Sequence, residues 1–328
     1  MDSNTQTALI TGASGGIGYE LAKLFARDHY NLVLVARSSD KLNQVAADLQ
    51  SQFGIAVKTV ALDLAAAPAP KFLFDQLQHE TGVVDVLVNN AGFGGFGEFA
   101  SMPEEEILGQ IHLNITTLTH LTRLFLPAML ARRKGKIMNV ASTAAFQPGP
   151  LMAVYYATKA YVLSFSEALA NEVARSGVVV SCFCPGATDT NFQKRANMEN
   201  SRLFKKLRPM SAEAVARDGY RGLMAGRTVV ISGVQNWLVA ESVRFTPRKL
   251  VTAVSRWVAE KVERGRDSRW LLSSFQLRRQ LIDSGDVEEI GEIGVAGESF
   301  PLFPFHENLH FKNAGDVRGE RLDQRRHG

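Results

Sequence analysis

The stretch TALITGASGGIGYELAKLF, residues 7–25, contains the local signals that decide the fold. Residues 7–12 form a short apolar run ending in a glycine, and residues 16–29 carry apolar side chains at helical spacing. Gly12, Gly16 and Gly18 let the chain turn tightly between strand and helix. The free N–H groups and the dipole at the helix N-terminus favour an anion. The stretch therefore predicts a strand–loop–helix unit that binds the phosphates of a nucleotide, the alternative being a tight turn that binds nothing.

Six further apolar runs alternate with helical patterns along the chain. The predicted strands are 31–37, 56–63, 84–92, 135–142, 177–186 and 228–233, and the predicted helices are 40–53, 71–80, 104–130, 153–176 and 211–225. Near-continuous apolar strands indicate burial on both faces of a parallel sheet, and right-handed crossovers place helices on each side. The sequence therefore predicts the α/β class, with a doubly wound seven-stranded parallel sheet (Rossmann fold) flanked by helices.

Beyond this core, a C-terminal helical and irregular extension is expected. We predict three parts: a Rossmann-fold catalytic domain at 1–235, an amphipathic helical segment at 236–266, and a partly irregular extension at 267–328. The segment 236–258 is expected to pack against a neighbouring loop or a second subunit, while a position on a membrane surface is the less favoured alternative.

Composition and charge narrow the class of protein. The 328 residues are 45% hydrophobic and 21% charged, as in ordinary globular proteins. The two cysteines are expected to be reduced core residues. The sequence shows neither a basic signal segment nor an apolar run of 18 residues. Together these features predict a cytoplasmic protein. No metal site is predicted.

The positive charge is concentrated in one segment. Residues 194–270 hold 17 Lys and Arg against 7 Asp and Glu, a net of +10, so the rest of the chain is −6 of the total +4. Such a segment suits an acidic partner, although a solvated surface is the preferred interpretation. Nucleic acid is not an expected partner, because no recognition motif accompanies the charge.

The end of the second predicted strand indicates which dinucleotide would bind. An acidic residue at this position accepts a hydrogen bond from the ribose 2′-hydroxyl of NAD. This chain instead has Arg37 and Ser38, which suit a 2′-phosphate. The sequence therefore predicts NADP(H) as the cofactor.

The segment YYATK, residues 155–159, follows a predicted strand that ends at Ser142. Tyr155 and Lys159 are i, i+4 and share a helix face, whereas Tyr156 is rotated about 100° away. A nearby ammonium stabilises a phenolate and lowers the tyrosine pKa. The Ser142 hydroxyl could polarise a substrate carbonyl beside the phenol.

In these motifs residues 5–235 resemble the short-chain dehydrogenase/reductase family, in its form of about 250 residues. The resemblance rests on TGASGGIG (11–18), Asp63, NNAG (89–92), Asn114, Ser142, YYATK and PGATDT (185–190), in the family's order and spacing. It implies Tyr155 as the catalytic acid/base, Ser142 as its carbonyl-polarising partner, Lys159 as the group that lowers the tyrosine pKa and holds the nicotinamide ribose, and Asn114 as the anchor of a water in a proton relay. It implies cofactor contacts at Gly12, Ser14, Gly16, Ile17, Gly18, Arg37, Ser38, Asp63, Leu64, Asn90, Ala91, Gly92, Tyr155, Lys159, Pro185, Gly186, Thr188 and Thr190.

The resemblance implies an NADPH-dependent reductase in which a small-molecule carbonyl is reduced to an alcohol, or the reverse, in a homo-oligomer. A second hypothesis is a non-catalytic NADP(H)-binding sensor that keeps the fold. The loop at 187–210 mixes apolar and cationic side chains, which suits a lipid-like or carrier-linked (3-oxoacyl-type) substrate or, alternatively, a mobile lid with a solvated rim.

Overall fold

A parallel seven-stranded sheet forms the centre of the protein. A computed structural model describes residues 5–196, 209–260, 291–295 and 298–302. The sheet has the order β3-β2-β1-β4-β5-β6-β9, with every neighbouring pair parallel. Its strands are β1 (Thr7–Thr11), β2 (Asn31–Ala36), β3 (Val57–Ala61), β4 (Val86–Asn89), β5 (Gly135–Val140), β6 (Val178–Cys184) and β9 (Val229–Ile231). Two short strands, β7 (Thr188–Asp189) and β8 (Met210–Ser211), form a separate parallel pair. The order reverses between β1 and β4, which places the topological switch point at their carboxyl ends.

Helices cover both faces of this sheet. In chain order, the α-helices of the described residues are α1 (Gly16–Arg27), α2 (Ser39–Phe53), α3 (Ala69–Glu80), α4 (Glu104–Ile111), α5 (Leu118–Ala131), α6 (Ala153–Glu172), α7 (Phe192–Arg195), α8 (Ala212–Met224), α9 (Val234–Ser242) and α10 (Arg248–Ala259). Strand β1 shows the two layers at residue resolution, because Ala8 and Ile10 join one buried cluster and Leu9 joins the other. The predicted doubly wound α/β fold is therefore confirmed.

The helix predicted at 104–130 contains a local change of winding. Helix α4 passes into a π-helical segment, His112–Thr117, before α5 continues to Ala131. An extra residue in a helical turn changes the direction of the side chains that follow, and such π-helical turns are frequent at functional sites. Hydrophobic spacing gives no sign of this segment, which contains Asn114.

The chain beyond the sheet divides into two parts. Helices α9 and α10 belong to the same compact unit as the sheet, residues 1–262, and a second unit comprises residues 263–328. The described part of the second unit is an antiparallel hairpin of β10 (Gly291–Val295) and β11 (Glu298–Leu302). The predicted boundaries at 235 and 266 stay predictions.

Several predicted features lie outside the described residues. They are most of the cation-rich loop (197–208), the basic residues 261–270 and all of the predicted extension at 267–328 except residues 291–295 and 298–302. None of the helices in the described part of the chain is long and apolar enough to cross a bilayer. Cys182 and Cys184 are buried and form no disulfide, and their sulfurs lie within hydrogen-bond distance, 3.7 Å apart.

Candidate active site

The loop between β1 and α1 is shaped so that only glycine fits at three positions. Gly12 and Gly16 have φ of +68° and +56°, in the left-handed region. Gly18 has ordinary dihedrals, but a Cβ there would lie 2.6 Å from Asn90 Nδ2 and collide with the Gly12 carbonyl oxygen. The loop can therefore present its backbone closely to a ligand at the N-terminus of α1.

Asn90, from the end of β4, fastens the start of this loop. Its Nδ2 donates to the carbonyl oxygens of Thr11 (2.9 Å) and Gly12 (3.2 Å). The Thr11 hydroxyl accepts from the backbone N–H groups of Asn90 (3.0 Å) and Ala91 (2.9 Å). These bonds join the carboxyl ends of β1 and β4, so the two strands support the loop at the switch point.

The residues predicted to select the cofactor lie at the ends of the neighbouring strands. Arg37 follows β2 and is exposed, and Ser38 precedes α2 without capping that helix through its hydroxyl. Asp63 follows β3 and accepts a hydrogen bond from the Ala65 backbone N–H at 3.0 Å. Leu64 beside it is buried, and its carbonyl oxygen accepts from the Thr117 hydroxyl at 2.7 Å.

Tyr155 and Lys159 lie on the buried face of α6, as their spacing predicts. The Lys159 ammonium is 5.7 Å from the centre of the Tyr155 ring and donates to the Val140 carbonyl oxygen at 2.8 Å. The Ser142 side chain hydrogen-bonds to the Tyr155 phenol, and its oxygen also accepts from the Ala144 N–H at 3.1 Å. The structure thus brings all three predicted side chains together at the end of β5.

Burial dominates the ionisation of both groups. It raises the pKa of Tyr155 above its usual value, and the hydrogen bond from Ser142 opposes this. Burial also lowers the pKa of Lys159 from 10.5 to about 8, while the nearby Cys182 and Cys184 act in the opposite direction. Desolvation of the phenolate is the largest effect on the pKa of Tyr155, and the expectation that Lys159 lowers this pKa stays a prediction.

Asn114 fastens the loop after β4 to α6. Its Oδ1 accepts from the Phe93 N–H (3.1 Å), and its Nδ2 donates to the Phe93 carbonyl oxygen (2.8 Å) and to the Thr158 hydroxyl (3.1 Å). A Cβ on Gly92 would lie 2.9 Å from Asn114 Oδ1 and 3.6 Å from Lys159 Nζ, so Gly92 is as close to these groups as its backbone allows. The water-anchoring role of Asn114 stays a prediction.

The two adjacent tyrosines have different surroundings. The ring of Tyr155 packs against Phe192 of α7, with ring centres 5.3 Å apart, and a Cβ on Gly94 would lie 2.9 Å from it. Tyr156 packs over Gly149 and hydrogen-bonds to Gln147. Only Tyr155 therefore meets Ser142 and Lys159.

The segment after β6 reaches both parts of the site. Pro185 accepts a hydrogen bond from the Thr143 N–H at 2.9 Å, next to Ser142. The Thr188 hydroxyl donates to the Gly186 carbonyl oxygen at 2.9 Å. A Cβ on Gly16 would lie 3.1 Å from Thr190 Cγ2, so this segment also borders the glycine loop.

Comparison with known proteins agrees with this arrangement. The sequence pattern of the family described as short chain dehydrogenase matches residues 6–201. The chain belongs to the short-chain dehydrogenases. Members of this family bind a nicotinamide cofactor.

Solved structures of other short-chain dehydrogenases match most of this chain. One from Sphingobium yanoikuyae, in complex with NADPH, is 33% identical with a TM-score of 0.66, and the match covers 73% of this chain and 94% of that chain. The bulky-bulky ketone specific alcohol dehydrogenase from Comamonas testosteroni is 29% identical with a TM-score of 0.64, covering 74% and 93% respectively.

Among curated proteins, a very-long-chain 3-oxoacyl-CoA reductase from Pyrenophora tritici-repentis is 38% identical over 179 residues. The match covers 53% of this chain, and the chain spans about half the length of that relative, 52%.

The residues of this short-chain dehydrogenase fit a dinucleotide. The cradle formed by Gly12, Gly16 and Gly18 leaves backbone N–H groups for a pyrophosphate, and any side chain there would fill it. Tyr155 and Lys159 lie within the same switch-point region of the sheet, next to Gly92. The described part of the chain holds no cluster of His, Cys, Asp and Glu that suits a metal ion.

Sequence reasoning missed the side chains that hold the functional ones in place. Thr11 hydrogen-bonds to Asn90, and Thr158 hydrogen-bonds to Asn114. Each threonine lies within a predicted strand or helix and has no feature in the sequence that marks this role. Phe192 lies in the loop at 187–210, and nothing in the sequence predicted its contact with Tyr155. These partners are 37 to 80 residues apart in the chain, so no local pattern reveals them.

Proposed function

We propose that this short-chain dehydrogenase is an NADP(H)-dependent reductase that converts a carbonyl into an alcohol. One observation carries the proposal: the buried Tyr155 phenol hydrogen-bonds to Ser142 and lies one helical turn from Lys159. An acid, an oxyanion donor and a cation are thereby placed at the switch point beside the glycine cradle, where the cofactor of such folds binds.

The chemistry follows from the positions of these side chains. When bound, the dinucleotide supplies the hydride. Tyr155 is a neutral phenol at neutral pH, because burial raises its pKa, and it donates its proton to the carbonyl oxygen. The Ser142 hydroxyl donates to the same oxygen and stabilises the negative charge that develops there. The Lys159 ammonium then stabilises the phenolate that remains.

Two observations support NADP(H) over NAD(H). Arg37 is exposed directly after β2, and the Ser38 hydroxyl beside it is not used for helix capping. A guanidinium and a hydroxyl at this position suit a 2′-phosphate. The structural relative from Sphingobium yanoikuyae binds NADPH, which is consistent with this assignment.

We propose a hydrophobic carbonyl compound, such as a 3-oxoacyl thioester or a bulky ketone, as the substrate class. Tyr155 lies in an apolar cluster with Ala144, Met152 and Ala196, with Phe96 and Phe192 packed against it. The named relatives include a 3-oxoacyl-CoA reductase and a bulky-ketone dehydrogenase. Apolar walls around the phenol would contact the carbon skeleton on either side of the carbonyl.

The test is a stopped-flow screen of the full chain with a generic diketone, bulky ketones and 3-oxoacyl thioesters, each with NADPH and with NADH. We expect oxidation of NADPH and preference for the larger apolar substrates. A chain that binds NADPH tightly but oxidises it with no substrate in the panel would favour a nucleotide sensor. Equal rates for small and large carbonyls would remove the substrate proposal alone.

A further inference from the structure

Exposed apolar side chains concentrate on one surface, which we call the C-terminal helix pair: α9, the turn 243–247 and α10. Of the 13 large apolar side chains that are exposed in the described part of the chain, seven lie between residues 234 and 254. Phe245, in the turn, is 85% exposed, and Val234 is 74% exposed. Single exposed apolar residues are ordinary, but a contiguous group of them marks an interaction surface.

The helix pair is packed on one side only. Ala240 of α9 and Val251, Ser255 and Ala259 of α10 are buried, which fixes the inner face of each helix. Trp237 and Leu238 are exposed on α9, and Leu250 and Val254 are exposed one turn apart on α10. The outer face is thus apolar where a surface helix is usually polar.

Cations border this apolar face at an unfavourable place. Arg248 and Lys249 occupy the first turn of α10, which contains no acidic residue. The helix dipole disfavours cations at an N-terminus. Within the described residues neither forms an ion pair, whereas Arg244 pairs with Glu241 and Arg256 pairs with Glu260. No acidic side chain among the described residues pairs with these two cations, which therefore suit an external anion.

We propose that the C-terminal helix pair docks on the surface of a bilayer that contains anionic phospholipids. Phe245 and Trp237 enter the boundary between headgroups and acyl chains, and Arg248 and Lys249 contact lipid phosphates. A second copy of the chain suits the surface less well, because two like copies would bring the unpaired cations that border each face together, and like charges across an interface are unfavourable. None of the exposed side chains on this surface belongs to the proposed reductase site, so the proposal does not depend on the reductase activity.

The test is flotation of the full chain with vesicles of 70% phosphatidylcholine and 30% phosphatidylglycerol, and with pure phosphatidylcholine vesicles. We expect binding to the anionic vesicles and a several-fold loss in the neutral vesicles or at high salt. Phe245→Ser and the double change Arg248→Ser with Lys249→Ser should each reduce the bound fraction several-fold. Phe72→Ser, which removes another exposed phenylalanine on α3, is the matched control and should bind like the unchanged chain.

Sedimentation without vesicles, together with thermal unfolding, distinguishes the alternative partners of this surface, which are a second copy of the chain and another part of the same chain. If Phe245→Ser converts a dimer into a monomer and vesicles capture nothing, the face is a contact between copies and the membrane proposal is overturned. It is equally overturned if no variant binds vesicles less than the unchanged chain does. If Phe245→Ser lowers thermal stability and vesicle binding is absent throughout, another part of the same chain covers the face, which also overturns it.

Discussion

Burial shifts the pKa values of Tyr155 and Lys159 in opposite directions. Burial disfavours the charged form of each, so the phenol holds its proton more tightly and the ammonium holds its proton less tightly. This suits an acid that must be protonated before reaction and a cation that must stabilise its phenolate afterwards. The lysine is consequently the group that changes charge near physiological pH.

The pH dependence of the rate should report on Lys159. Because the pKa of this lysine is lowered to about 8, its ammonium is present below that pH and is lost as pH rises through it. Tyr155 does not ionise in this range, since its pKa is raised. Single-turnover oxidation of NADPH between pH 6 and pH 10 should therefore show a rate that falls above about pH 8.

Lys159→Arg is the matching variant, because a guanidinium keeps its charge throughout this range. If that variant folds and turns over, its rate should not fall above pH 8. A wild-type rate that is unchanged up to pH 10 would show that the lysine charge is not needed.

Arg37 should decide between the two dinucleotides. A charge-assisted contact is worth about 1.5–3 kcal/mol, so Arg37→Asp should weaken NADPH binding by about 10- to 100-fold and favour NADH. Fluorescence titration with each cofactor measures this. Arg175→Asp makes the same charge change in the exposed turn that follows α6 and should leave both affinities unchanged. Unaltered NADPH affinity in Arg37→Asp would show that another group binds the 2′-phosphate.

Hydrogen bonds between secondary-structure elements and the loops at the strand ends position the residues of the site. Asn90 joins β4 to the glycine loop, and Asn114, on the π-helical segment, joins the following loop to α6. The seven strands of the sheet and the long helices between them follow from hydrophobic spacing and were predicted with boundaries within a few residues, whereas helix α7 and the hairpin β10–β11 were not predicted. The π-helical segment and the hydrogen bonds from Thr11 and Thr158 were not predicted, because they depend on which residues, distant in the chain, come into contact.

The glycine loop offers a test of close packing at this level. Gly18→Ala places a methyl group against the Gly12 carbonyl and Asn90 Nδ2, so it should destabilise the fold by about 1–3 kcal/mol, the usual range for overpacking. Gly15→Ala is the control, because a Cβ there meets nothing within 4 Å and its φ of 168° is extended backbone. Thermal unfolding of the two variants should separate them clearly. Equal melting temperatures would contradict the packing described for this loop.

The molecule as a whole shows which features a sequence can predict. The parallel sheet and the meeting of Ser142, Tyr155 and Lys159 were predictable, because parallel strands end at one edge and i, i+4 residues share a helix face. The raised pKa of Tyr155 was not, since desolvation depends on everything packed around the phenol, including Phe192, which lies 37 residues further along the chain. The exposed apolar face of α9 and α10 could not be predicted either, because amphipathic spacing does not show which side of a helix is covered.

Single-turnover oxidation of NADPH by Tyr155→Phe tests the central claim most directly. Removing this one hydroxyl should slow reduction of the best substrate by about 10²–10⁴-fold, the usual worth of a general acid, and leave NADPH binding nearly unchanged. Tyr156→Phe removes the adjacent hydroxyl and should retain the full rate. If Tyr155→Phe binds NADPH and reduces the carbonyl as fast as the unchanged chain, Tyr155 is not the proton donor and the proposed mechanism is wrong.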